Sequence, residues 1–117
     1  MVARDLLQRY GFYPDPPLPE NACIEPIISW DGLLQEGRHM QHCVGAYHGT
    51  VAAGQVALYH MHDPESVTVA LRPQGASWVL SEASGTANAR PSTAALSKIQ
   101  AWLEQATRDE TVFKSAL

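Results

Sequence analysis

Gln55-Val56-Ala57-Leu58-Tyr59-His60-Met61, Ser66-Val67-Thr68-Val69-Ala70-Leu71-Arg72 and Ser77-Trp78-Val79-Leu80-Ser81-Glu82-Ala83 succeed one another with short breaks, and their reading decides the fold. Each run has strand length and β-branched or aromatic residues that suit a pleated surface. Val56 and Leu58 oppose Ala57, Tyr59 and Met61; Val67, Val69 and Leu71 share a face, as do Trp78 and Leu80. That period of two is the mark of strands whose faces meet different surroundings. The breaks are turns: Asp63-Pro64-Glu65, then Arg72-Pro73-Gln74-Gly75 with proline and glycine in favoured places. Connections this short join antiparallel neighbours, so the runs predict a three-stranded antiparallel β-meander.

Helical patterns flank the meander. Before it, Ser29 is an N-cap and Asp31 puts negative charge in a first turn, predicting a helix over Trp30–His39 with Trp30, Leu33 and Leu34 inward and a bend near Gly37. A second helical segment is expected from Cys43 to Ala53, on the spacing of Val44, Tyr47 and Val51, with Gly54 at its C′ position. Ile24, Ile27 and Ile28 suggest a short strand or an anchoring segment. After the meander, Ser92 caps a last helix whose stripe is Leu96, Ile99, Trp102, Leu103 and Ala106. At the start, Leu6, Leu7 and Tyr10 predict a short helix over residues 3–10, stopped by Gly11. Pro14, Pro16, Pro17 and Pro19 then make an extended arm across the domain. The fold class is α+β: the three-stranded meander packed with a preceding helical pair and a C-terminal helix. One domain fills residues 1–117, with the helix and Pro-rich arm in 1–20, the core in 24–107 and a tail in 108–117.

Composition narrows the function. A 45% hydrophobic, 17% charged chain of 117 residues supports one core. Eight Lys and Arg against twelve Asp and Glu give a net charge of −4, which disfavours binding through phosphate neutralisation. No apolar run reaches membrane-spanning length, and the N-terminus lacks a signal-peptide core, so a cytoplasmic protein is expected. Two cysteines, Cys23 and Cys43, do not make a disulfide framework and are expected as free thiols. A sheet face left uncovered would favour a homodimer.

The chemistry centres on His42-Cys43. A thiol at a helix start, beside an imidazole, is a nucleophile arrangement. His42 is the neighbouring base, and His39, one helical turn earlier, competes with it. Asn88, on the loop entering the last helix, completes a thiol–imidazole–amide set of the kind used in acyl transfer. The alternative is structural: Cys43 a small buried residue, His42 a support for the helix junction, and Asn88 a turn former. No cofactor is expected from sequence motifs. His39, Cys43, His60 and His62 form an alternative zinc set, with His60 and His62 expected on one strand face, but no CxxC or HExxH pattern backs it. Phosphate-loop and dinucleotide patterns are absent. Trp30, Trp78 and Trp102 read as core rather than as a base-stacking platform.

Gly37-Arg38-His39-Met40-Gln41-His42-Cys43-Val44-Gly45-Ala46-Tyr47 resembles the HCVGxY-type core of the PcfJ-like family of conjugative plasmids and other mobile elements. Pro17-Leu18-Pro19, Ile24-Glu25-Pro26-Ile27 and Gly54 extend the likeness, and Glu82-Ala83-Ser84-Gly85-Thr86-Ala87-Asn88-Ala89-Arg90-Pro91 resembles the family's QxxGxxNxxP segment, with Glu82 where glutamine is usual. The resemblance covers Pro14 to Ala106. It implies an accessory domain that binds a protein or nucleic-acid partner of mobile-element machinery, with Tyr47, Glu82, Arg38 and Arg90 as binding residues. It also implies that the His42-Cys43 junction and the Glu82–Asn88 turn meet at one end of the sheet.

Overall fold

The computed structural model describes residues 12–42 and 47–116, with side chains to residue 106. The helix expected over residues 3–10 and the thiol of Cys43 lie outside the described residues. One antiparallel sheet contains β1 (Ile24–Pro26), β2 (Ala57–Met61), β3 (Val67–Gln74) and β4 (Ser77–Gly85), in that spatial order. The three expected strands are all present, but the meander gains a fourth at its edge, where Ile24 pairs with Met61 and Pro26 with Tyr59. Three residues are too few to display a period; ladder bonds and the buried Ile24 side chain suffice to dock them.

Two local irregularities matter. The β3–β4 turn is the two-residue loop Gly75-Ala76, later than the expected Arg72–Gly75, and Gly75 adopts φ +62°, a conformation that favours glycine. In β4 the register slips: Ala70 faces Glu82, but Leu71 faces Leu80, leaving Ser81 as an extra residue. Strict alternation would put Glu82 on the same face as Leu80. The bulge reverses the phase, so Leu80 and Ala83 join one core while Glu82 turns to the other face.

Helices cover both faces. α1 (Trp30–Met40) starts at Ser29, whose Oγ accepts from Gly32 N–H at 3.0 Å. Leu33, Glu36 and Met40 are its buried residues; Leu34 is half-buried, and Trp30, expected inward, is 37% exposed and packs on the His48 ring instead. α2 (His48–Ala52) is shorter than the expected Cys43–Ala53 helix. It ends in a Schellman motif, with Gly54 N–H bonded to Val51 O, Gln55 N–H to Thr50 O, and Gly54 at φ +76°. α3 (Thr93–Ala116) has the expected Ser92 cap, whose Oγ accepts from Ala95 N–H at 3.1 Å.

α3 lays Ala95, Ile99, Trp102, Leu103 and Ala106 on Ile24, Tyr59, Met61, Val67, Val69 and Leu71. On the opposite face Leu33 and Val51 meet Leu58 and Ala70. The proline arm crosses the α3 side. Leu18 is buried, its N–H donates to Tyr59 Oη (2.9 Å), and Tyr59 Oη donates to Leu18 O (2.7 Å); Trp102 Nε1 donates to Pro19 O (2.9 Å). No helix among the described residues is long and apolar enough to cross a membrane.

Candidate functional site

The register writes one polar row across the sheet beneath α1: Glu25 faces His60, His60 faces Thr68, and Thr68 faces Ser84. The neighbouring row is Leu58, Ala70 and Glu82. Glu36 reaches the first row from above. It occupies the buried stripe of α1, three residues after Leu33, and is only 6% exposed. Its Oε2 accepts from Thr68 Oγ1 at 2.5 Å and from His60 Nδ1 at 2.8 Å. A buried carboxylate is tolerated when donors converge on it in this way. The His39 ring packs edge-on against His60, with centroids 5.5 Å apart.

Past Met40, Gln41 takes a left-handed conformation, φ +56°, which ends α1 and turns the chain back. The next residue, His42, places Nε2 3.2 Å from Thr68 Oγ1. Proton bookkeeping assigns this contact. The Thr68 proton goes to the Glu36 carboxylate, so the hydroxyl oxygen accepts from His42 Nε2–H. In the neutral ring, Nδ1 then carries the lone pair.

Beside this chain opens a cleft of about 200 Å³, lined by His42, Tyr47, Leu58, Thr68, Ala70, Glu82, Ser84 and Asn88. Tyr47 Oη donates to Glu82 Oε2 at 2.5 Å, and Ser84 Oγ to Glu82 Oε1 at 3.3 Å. The hydrogen bond to Glu82 holds the Tyr47 phenol above its ordinary pKa, with partial burial and the carboxylate charge adding to the effect. Asn88 enters from the Thr86–Asn88 turn, where Ala87 and Asn88 are both left-handed (φ 55° and 62°). That turn is closed by Gly85 N–H to Ala89 O at 2.7 Å. Gly85 fits the turn closely: a Cβ there would lie 3.0 Å from the Ala89 carbonyl oxygen, so the backbone would have to give by a few tenths of an ångström to admit one.

Of the residues singled out from sequence, His42, Tyr47, Glu82 and Asn88 therefore line one cleft. Arg38 and Arg90 are exposed and do not line it. His39 and His60 are neighbours, but β2 ends at Met61 and His62 is exposed beyond it. The sulfur of Cys43 lies outside the described residues, and among the described residues no three His, Cys, Asp or Glu side chains group as metal ligands. Glu36 and Thr68 were not legible as site residues. The available signal was a carboxylate inside the apolar stripe of α1 and a threonine opposite the Val67–Val69–Leu71 face.

The four-stranded antiparallel sheet between two helical layers, with a polar cleft under one of them, defines an α+β fold. The family model described as PcfJ-like protein matches residues 18–100, and the chain belongs to that family. Searches of curated proteins and of solved structures found no match.

Proposed function

We propose that this chain is a PcfJ-like accessory domain of a mobile genetic element and that its cleft binds a cationic side chain of a protein partner. The observation that carries this reading is the Tyr47–Glu82–Ser84 group at the cleft wall. Glu82 is an exposed carboxylate held in place by two hydroxyl donors, over an apolar floor of Leu58 and Ala70. An arginine or lysine stem packs on such a floor while its head meets the carboxylate. The same carboxylate and the net charge of −4 oppose a nucleic-acid backbone at this point. Peptide display on the immobilised domain tests the reading. Enrichment of Arg- or Lys-centred sequences, lost by about tenfold or more in Glu82→Gln, is the expected result. Selection indifferent to Glu82→Gln removes it.

A second reading, a small Cys-dependent enzyme, draws support from the His42 contact. A histidine whose Nε2–H is tied to Thr68, and through Thr68 to Glu36, presents Nδ1 as a base, the role that reading needs beside the Cys43 nucleophile. It transfers the orienting role from Asn88 to Thr68. Iodoacetamide labelling of Cys43 across pH separates the readings. An ordinary thiol profile, near ~8.5 and unchanged in Thr68→Val, counts against the enzyme.

A further inference from the structure

A different reactive cluster lies outside the cleft, on the α3 side of the sheet. Cys23 immediately precedes β1, Asp63 follows β2, and Lys98 projects from α3. The β1–β2 pairing and a bond from His62 N–H to Cys23 O (3.0 Å) hold the first two side by side. Lys98 Nζ donates to Asp63 Oδ2 at 3.1 Å and lies 3.8 Å from Cys23 Sγ. The thiol lies 3.7 Å from the same carboxylate oxygen. Cys23 is partly exposed, and a groove of about 400 Å³ lined by Asn21, Cys23, Lys98 and Glu104 opens beside it, so a small oxidant reaches the sulfur. Each neighbour has a chemical use: Lys98 brings an amine beside the sulfur, and Asp63 holds that amine in place.

We propose that Cys23 and Lys98 are a redox pair that joins through a reversible sulfur–nitrogen bond, a sulfenamide, when a hydroperoxide oxidises the thiol. The Cys23 thiolate attacks the terminal peroxide oxygen. An S–O bond forms, the O–O bond breaks, and the departing oxygen leaves as water or alcohol, with Cys23 oxidised by two electrons to the sulfenic acid. Lys98, after giving one proton to solvent base, attacks that sulfur through its nitrogen lone pair. An S–N bond forms, the S–O bond breaks, and the hydroxide leaves as water with one of the two remaining amine protons, the other staying on nitrogen. The product lacks two hydrogens relative to the reduced pair, and a thiol reductant restores both residues. The bond links positions 75 residues apart, tying the segment before β1 to α3.

Peptide mapping of the full chain after hydrogen peroxide tests the proposal. The Cys23 and Lys98 peptides should appear joined, lighter by two hydrogens than their sum, and separate again with dithiothreitol. Lys98→Arg, which keeps a cation against Asp63, should abolish the joined peptide, as should Cys23→Ser. Because the amine must be neutral to attack, the yield should rise severalfold from about pH 7 to about pH 9. The oxidised protein should melt roughly 5 °C or more above the reduced form. Recovery of Cys23 only as sulfinic acid or as a disulfide, with Lys98 unmodified, overturns the proposal. The mapping is done on the Cys43→Ser chain, because Arg72 and Arg90 precede proline and Cys43 shares a tryptic peptide with Lys98, so that a Cys23–Cys43 disulfide would give the same mass and the same reversal.

Discussion

Thr68→Val is the sharpest probe of the polar chain beneath α1. The substitution keeps the side-chain shape and deletes one hydroxyl, which donates to Glu36 at 2.5 Å and accepts from His42 at 3.2 Å. Hydrogen bonds to a charged group contribute about 1.5–3 kcal/mol each. Glu36 retains His60, 2.8 Å away, so it is not left wholly unpaired. His42 is half-buried and can regain part of its bond from water. The loss should therefore be about 2 kcal/mol. In urea, with a slope of roughly 2 kcal/mol per molar, the midpoint should fall by roughly 1 M. Tryptophan fluorescence reports it, since Trp102 is in the core and Trp78 is packed against it. A double-mutant cycle with Glu36→Met should show coupling of about 1–2 kcal/mol, because both substitutions break the same contact. A Thr68→Val loss under about 0.5 kcal/mol, or additivity in the cycle, would refute the idea that this chain holds α1 on the sheet.

Tyr13 and Tyr59 are pushed up to about 12 by burial, with the Leu18 backbone bond partly offsetting the effect at Tyr59. A raised folded-state pKa gives stability that is fully present below the unfolded value near 10 and lost as pH climbs toward 12. Tyrosinate absorbance should accordingly show Tyr13 and Tyr59 ionising late, with Tyr47 also delayed by its bond to Glu82, and all three should titrate earlier in denaturant. Trp102→Ala should cost about 3–5 kcal/mol, while Trp30→Ala should cost about 1 kcal/mol or less; similar losses in chemical denaturation would contradict the burial pattern. Gly85→Ala should destabilise by about 1–3 kcal/mol, because the carbonyl of Ala89 is backbone and cannot yield without moving the Asn88 turn. An unchanged melting temperature would show that the turn has slack.

The sequence announces its strands and helix caps because these depend on local periodicity and on single side-chain oxygens. Ser29 and Ser92 cap where their spacing says they should. Glu82 shows where local reading stops. Alternation from Trp78 and Leu80 sends it into the α3 core, and only the extra residue Ser81 delivers it to the cleft. That slip is a property of the strand pair, not of β4 alone. The partnership of Glu36, His60 and Thr68 was similarly hidden, since it joins a helix to two strands through cross-strand register. Trp30 misled because helical spacing fixes a residue's face, whereas the short α2 decides how far cover extends. β1 was only an ambiguous isoleucine-rich segment, because so short a strand takes its stability from its neighbour.

Pro73 has a consequence for how the molecule meets its own kind. β2 accompanies β3 only from Val67 to Leu71, so the tip of the β3–β4 hairpin protrudes as a two-stranded ribbon with one flank of β3 uncovered. In a two-residue hairpin the closing pair, here Gln74 and Ser77, is hydrogen-bonded, so the next pair, Pro73 and Trp78, turns its amide positions outward. Proline puts no donor on that flank, and exposed Arg72 puts a charge beside it. The β3 flank of the ribbon is thereby a poor template for a stray strand, which guards that flank against edge-to-edge pairing.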